Sequence, residues 1–234
     1  MKSRLIKPAE NFDRIARSYE TMERLAFGSL LQKARTAHLE KVEHAEQVLL
    51  VGEGNGRFLA ALLEKNRRCQ VTCIDQSRRM LDLAENRVQL RDRKRVRFAL
   101  NDFEKEPMSL PEFDVVVTHF FLDCFAPETL NRMLTRLSDS LSPGGTWLMA
   151  DFVEPSDSGT IASLQRTVLR ALYYFFAKTG GIKANKISCP EKKLEALGMK
   201  ENGRYSYLRG WITSSIYHKS PCRNPDRFAR ITIE

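Results

Sequence analysis

Short apolar runs separated by amphipathic segments set the pattern of this chain. Residues 48–51 (VLLV), 71–74 (VTCI), 96–100 (VRFAL) and 113–119 (FDVVVTH) are largely apolar over strand lengths, and residues 142–152 (SPGGTWLMADF) turn apolar after a proline-glycine-glycine step. Runs of this length suit parallel strands covered on both faces. Between them, residues 57–64 and 77–90 read as helices, and over 128–141 the apolar positions Leu130, Met133, Leu134, Leu137 and Leu141 recur at helical spacing. Residues 191–197 predict a short helix stopped by Gly198, and 205–208 and 211–217 the two strands of a closing hairpin. The alternation predicts an α/β fold, a seven-stranded and mostly parallel sheet with an antiparallel edge strand and helices on both faces.

The first strand runs directly into a glycine-spaced turn that opens a helix. Gly52, Gly54 and Gly56, with Glu53 and Asn55 between them, let the backbone bend tightly and approach a ligand without Cβ clashes. The helix amides that follow face the same space. A dinucleotide fingerprint requires G-x-G-x-x-G, but its third glycine slot holds Arg57, so the loop is G-x-G-x-G. Asp75 ends the second apolar run roughly twenty residues on, where Rossmann-like folds place a carboxylate that accepts hydrogen bonds from ribose hydroxyls. The plainer alternatives are a turn that uses glycine for geometry alone and an acid that caps the next helix, for which Ser77 is also a candidate.

Loop and acid together resemble the class I S-adenosylmethionine (SAM)-dependent methyltransferases, and further segments extend the likeness. Residues 76–81 (QSRRML) look like that family's stretch after the ribose acid, with Gln76 a cofactor-binding candidate and Met80 near the adenine; Asn101, Asp102 and Phe103 match its adenine-binding segment. The FDVVVTH run is similar to its fourth strand, which ends under the reacting methyl group. Residues 11–28 (NFDRIARSYETMERLAFG) and 209–219 (RGWITSSIYHK) resemble the first and last signatures of the ubiquinone and menaquinone biosynthesis C-methyltransferases. The resemblance implies SAM as cofactor, S-adenosylhomocysteine as product, and Tyr19 closing over the methionine moiety. One position departs from it: the acid that many members carry two residues before the first glycine is Leu50 here, leaving Glu53 either to supply charge from another direction or to face solvent.

With 234 residues and 42% hydrophobic content, the chain fits one domain, 1–234, with an N-terminal helical cap over about 8–42 and a helical lid over about 156–187. The lid carries Leu164, Val168, Leu172, Phe175 and Phe176 at helical spacing, ordinary for a core face. In the resembled family, cap and lid cover the acceptor pocket, which implies an apolar chamber of Met22, Phe27, Phe120, Phe121, Tyr173 and Phe176, together with Tyr19. His119 is the candidate general base and also a candidate cofactor contact, because an unperturbed imidazole titrates near pH 6.5 and the residue ends the fourth strand. Asp123 is placed to orient it or to bind the acceptor.

Charge widens the choice of partners. The net charge is +9, and residues 86–97 (NRVQLRDRKRVR) hold the densest basic cluster, suited to RNA phosphates or to peripheral contact with anionic lipid headgroups, with a solvated helix end as the plainer reading. No aromatic residues interleave there as a single-strand platform requires. The segment after the fourth strand, Thr118-His119-Phe120-Phe121, lacks the proline-proline-aromatic motif of enzymes resembling base-amine methyltransferases, which disfavours that subclass of RNA chemistry. Five cysteines without a C-x-x-C pair indicate neither a disulfide framework nor a metal site, and no secretory or membrane-spanning segment is read, so a cytoplasmic location is expected. The reading is a SAM-dependent small-molecule methyltransferase with an apolar or aromatic acceptor; RNA methylation and a noncatalytic SAM-binding regulator are the alternatives.

Overall fold

The structure is a computed structural model and describes residues 27–103, 109–153, 163, 165–167 and 190–221. Its strands are β1 (Gln47–Val51), β2 (Gln70–Asp75), β3 (Val96–Leu100), β4 (Phe113–His119), β5 (Leu141–Phe152), β6 (Met199–Tyr207) and β7 (Ile212–Lys219). The helices are α1 (Leu30–Thr36), α2 (Arg57–Lys65), α3 (Arg78–Arg87), α4 (Pro127–Asp139) and α5 (Glu191–Ala196). The seven strands form one sheet in the order β3-β2-β1-β4-β5-β7-β6. Strands β1 to β5 pair in parallel, β7 runs antiparallel to both β5 and β6, and the expected antiparallel edge is this last pair.

Strand order reverses between β1 and β4, and chain leaving neighbouring strands on opposite sides opens a crevice at their carboxyl ends. Apolar side chains fill both faces. On one, Phe58, Leu59 and Leu62 of α2 meet Val48, Leu50, Val115 and Val117; on the other, Leu130, Met133, Leu134 and Leu137 of α4 meet Leu49, Val116 and Trp147. The sheet is thus held rigid from both sides, which fixes where its strand ends point.

Three boundaries differ from the sequence expectation for local reasons. Helix α3 stops at Arg87 rather than at 90 because Val88 turns extended, at φ −78° and ψ 123°, and buries its side chain. Strand β5 already pairs at Leu141 with Phe113 and resumes at Thr146 with Val115, so the proline-glycine-glycine turn is a bulge within the strand, with Gly144 at φ 77°. Strand β6 begins at Met199, well before 205, because it is the sheet's edge and its exposed polar side chains mask the strand pattern.

The basic cluster is partly structural. Leu90–Arg95 is a 3-10 helix, and Arg95 turns inward, donating to the carbonyls of Leu63 (2.9 Å) and Cys69 (3.2 Å) and pairing with Asp92 at 3.1 Å. Arg93 and Lys94 remain exposed, as a solvated surface requires. Among the described residues no helix is long and apolar enough to cross a membrane, and no group of His, Cys, Asp and Glu is arranged to hold a metal ion.

Candidate functional site

All three loop glycines adopt the left-handed conformation, with φ of 67° at Gly52, 68° at Gly54 and 81° at Gly56. A Cβ at Gly56 would lie 2.6 Å from the backbone Cα of Ala84, so this glycine lets α2 approach α3; at Gly54 nothing lies within 4 Å. Asp75 joins the loop to the next helix. Its Oδ2 accepts from the Gly54 amide at 3.0 Å and its Oδ1 from the Ser77 amide at 2.9 Å, while Ser77 itself caps α3 by accepting from the Met80 amide at 3.1 Å. Each carboxylate oxygen retains acceptor capacity beyond one amide, and two adjacent acceptors suit a vicinal diol.

The neighbouring residues lie at the adjacent strand ends. The Asn101 amide donates to the Asp75 carbonyl at 3.1 Å, which ties the end of β3 to the end of β2. Asn101 and Phe103 are buried, Asp102 and Gln76 half-buried, and Arg136 lies 4.8 Å over the Phe103 ring from α4. Arg87 donates to the Asn55 carbonyl at 2.8 Å, fixing the tip of the loop to α3. The structure places Gly52 to Gly56 after β1, Asp75 and Gln76 at the end of β2, Met80 in the first turn of α3, and Asn101, Asp102 and Phe103 after β3.

Glu53 does not simply face solvent. Its Oε1 accepts from the Phe58 and Leu59 amides, both at 2.9 Å, so it caps the first turn of α2 from inside the loop. Burial pushes its carboxyl up to about 7 against the pull of the Leu59 amide, the Arg35 charge and the Phe58 amide, with Asp75 adding repulsion. An acid raised this way keeps its proton in the folded chain where the unfolded chain, titrating at the ordinary 4.5, has lost it. Folding stability carried by Glu53 is thus full below pH 4.5 and falls as pH rises toward 7. Urea unfolding across that interval should show this slope in the wild type and lose it in Glu53→Gln; identical slopes would contradict the assignment.

At the end of β4 the chain turns sharply. His119 is buried with its ring edge-on to Phe58, centroids 4.7 Å apart, and among the described residues its Nδ1 has no hydrogen-bond partner. Burial, followed by the charges of Arg35 and His38, holds its pKa well below the ordinary imidazole value, so the ring is neutral at pH 7. Phe120 takes a left-handed φ of 53°, and its amide donates to the Ala150 carbonyl at 2.6 Å. Phe121 packs on Phe125 and covers Gly52, where an added Cβ would stand 2.2 Å from its ring.

Asp123 is buried beside Asp151. Asp151 accepts from the Phe121 amide at 3.1 Å, and burial, then the Asp123 charge, push its carboxyl well above the usual range. The Cys124 thiol donates to Asp123 at 3.4 Å. The structure thus brings His119 and Asp123 to the same turn at the end of β4.

Phe27 and Phe120 meet in an aromatic group that sequence reading had only half named. Phe152 lies 5.4 Å from Phe27, 5.3 Å from Phe120 and 5.8 Å from Trp211, and Trp211 lies 5.8 Å from Phe27. Phe121 belongs to a separate cluster under α4. Phe152, Trp211, Asp151 and Arg35 were missed; the signal for Phe152 and Asp151 was their place at the carboxyl end of β5, adjacent to β4. Tyr19, Met22, Tyr173 and Phe176, most of the cap and nearly all of the lid lie outside the described residues.

Residues 48–145 match the family described as methyltransferase domain. A tRNA N(3)-cytidine methyltransferase METTL2 from Gallus gallus is 30% identical over 111 residues, 45% of this chain and 30% of the relative. A demethylmenaquinone methyltransferase from Thermotoga maritima is 26% identical over 170 residues, 72% of this chain and 68% of that one. The chain spans less than a third of the length of the METTL2 relatives it matches. Among solved structures, the N-methyltransferase NodS from Bradyrhizobium japonicum with S-adenosylhomocysteine superposes at a TM-score of 0.64 and 13% identity, over 92% of this chain and 99% of NodS. The 1,6-didemethyltoxoflavin-N1-methyltransferase from Burkholderia thailandensis superposes at 0.61 and 18% identity, over 94% and 93%. The chain therefore shares its fold with these methyltransferases, and its glycine loop lies at the carboxyl end of β1.

Proposed function

We propose that the protein transfers a methyl group from SAM to a small apolar or aromatic acceptor, with quinone precursors and lipid-like phenols as the leading class. The observation that carries the acceptor class is the group of Phe27, Phe120, Phe152 and Trp211, assembled from the turn after β4, the end of β5 and the start of β7, at the same sheet end as the loop. Flat faces at these separations favour a flat ligand by offset stacking and area burial. The likeness to a demethylmenaquinone methyltransferase supports this reading.

SAM supplies an electrophile already activated as a sulfonium methyl, so the protein's share is mainly orientation. Asp75 and Gln76 hold the ribose, Met80, Asn101, Asp102 and Phe103 the adenine, and Gly52 to Gly56 with Tyr19 the methionine end. Met22, Phe27, Phe120, Tyr173 and Phe176 bound the acceptor, while Phe121 lies over Gly52. His119, neutral at pH 7 because burial disfavours its charged form, is the assigned proton acceptor, and Asp123 the group that positions the substrate. Turnover is expected to fall at least tenfold in both His119→Ala and Asp123→Ala; wild-type turnover in both would remove the catalytic assignment without touching donor binding.

Phe152→Asn should raise the acceptor KM about tenfold, in line with ~1 kcal/mol for a lost aromatic pair plus its area, and leave S-adenosylhomocysteine affinity unchanged. Steady-state kinetics with calorimetry checks this; an unchanged KM would place the acceptor elsewhere. Methyl-labelled SAM incubated with the protein and fractionated cell extract tests the acceptor class directly. Label in an organic-soluble small molecule supports the proposal. Label in RNA would favour the second reading, which the METTL2 likeness and the exposed Arg93 and Lys94 support.

A further inference from the structure

Both tryptophans of the chain are buried, and their indole nitrogens are treated differently by the fold. The Trp147 Nε1 donates to the Thr118 hydroxyl at 2.9 Å. Trp211 is 6% exposed, its Nε1 is buried, and among the described residues no hydrogen-bond partner meets it. The rings of Phe27 and Phe152 that pack on it, each with its centroid 5.8 Å away, carry no acceptor atom, and a contact with a π face is second-order beside an oxygen. An indole N–H is a donor only, and burying one without an acceptor costs about 1–3 kcal/mol. Such a group in a native fold calls for a partner that the chain itself does not supply.

The backbone holds the indole where it is. Leu208, Arg209 and Gly210 take positive φ of 50°, 58° and 87° in the turn between β6 and β7. After that turn the Trp211 amide donates to the Leu208 carbonyl at 3.4 Å, and its carbonyl accepts from the Val153 amide at 2.8 Å, which fixes the residue beside the end of β5. His119 borders the same sheet face from β4. It pairs in register with Ala150, and Phe152 lies two residues beyond Ala150, so these side chains project to one side. The Nδ1 of His119 is likewise buried and without a partner among the described residues. One polar atom left unanswered on β4 and another at the start of β7 thus flank the packed rings of Phe120 and Phe152, whose centroids are 5.3 Å apart.

Resting on the acceptor reading above, we propose that Trp211 selects the acceptor: its indole N–H donates a hydrogen bond to a carbonyl, ether or hydroxyl oxygen on the flat ring held against Phe120 and Phe152. A hydrocarbon ring leaves the N–H unanswered, and an ammonium at that place meets it with a second donor. Oxygenated rings are therefore preferred to hydrocarbons or amines of the same shape. Trp211 and His119 are separated by β5, so anchoring the ring and accepting a proton from it fall to different groups.

Titration of protein with 15N-labelled indole groups, saturated with S-adenosylhomocysteine, tests this with three probes of one shape: 2-naphthol, 2-methoxynaphthalene and naphthalene. The two indole N–H signals are assigned through Trp147→Phe and Trp211→Phe. Wild type should bind both oxygenated probes about 2- to 10-fold more tightly than naphthalene, as one neutral hydrogen bond requires, and only these two should move the Trp211 N–H proton downfield while the Trp147 signal stays in place. Trp211→Phe, which keeps an aromatic face and removes the donor, should close the affinity gap. A gap that persists in Trp211→Phe, equal losses for all three probes, or a Trp211 signal unmoved by a bound oxygenated probe would overturn the proposal in favour of a packing role. The wild-type spectra decide even where the variant does not fold. Equal wild-type affinity for all three probes would overturn the proposal and leave the apolar acceptor reading standing; wild type that binds none of them would overturn both.

Discussion

Asp75→Ala is expected to weaken SAM binding by about 100-fold or more. The carboxylate holds the Gly54 and Ser77 amides at 3.0 and 2.9 Å, so removing it loosens the loop as well as deleting the ribose acceptor. Hydrogen bonds to a charged group are worth ~1.5–3 kcal/mol each, or roughly 10- to 150-fold in a dissociation constant. Asp75→Asn, which keeps one carbonyl acceptor, should fall between wild type and alanine. Calorimetry for the affinity and thermal unfolding without ligand separate the two contributions. An alanine variant that folds and binds SAM as wild type does would remove Asp75 from the site.

The second large effect is structural. Gly56→Val should cost about 2–5 kcal/mol of stability or prevent folding, because two penalties act together. The residue sits at φ 81°, which a β-branched side chain resists, and its Cβ would meet the Ala84 backbone at 2.6 Å, where no side chain can swing away. Gly54→Ala is the control. It shares the left-handed backbone at φ 68° but faces open space, so ~1–2 kcal/mol is expected from conformation alone. Urea unfolding of the pair checks this, and equal losses would show that α2 and α3 do not depend on that close approach.

The contrast between these glycines also marks what was legible in the chain. Buried parallel strands announce themselves by continuous apolar runs, so β1 to β4 could be placed from residue pattern, whereas the strand-order reversal between β1 and β4 is seen only in the sheet. Ser77 caps α3 as its type and place suggested. Glu53 was ambiguous because nothing in its neighbours says whether a loop side chain turns outward or back onto the helix that follows; two free amides at the start of α2 decide it.

Arg35, Phe152 and Trp211 reach the site through packing between segments far apart in the chain, which local patterning does not encode. A basic residue in a short helix reads as surface until α1 is seen lying across α2. Likewise Phe120 and Phe121 read as one aromatic patch. The positive φ at Phe120 places the first beside Arg35 and Phe152 and the second over Gly52. In the basic stretch after α3, Arg95 serves backbone carbonyls while Arg93 and Lys94 stay exposed, a division that charge counting alone does not reveal.

The central claim is that the loop after β1 and the acid after β2 bind the methyl donor. Isothermal titration of the purified protein with S-adenosylhomocysteine, run beside the same titration with a nicotinamide dinucleotide, tests it most directly. The account expects saturable one-to-one heat with the first and none with the second; a flat trace with S-adenosylhomocysteine alongside tight dinucleotide binding would contradict it.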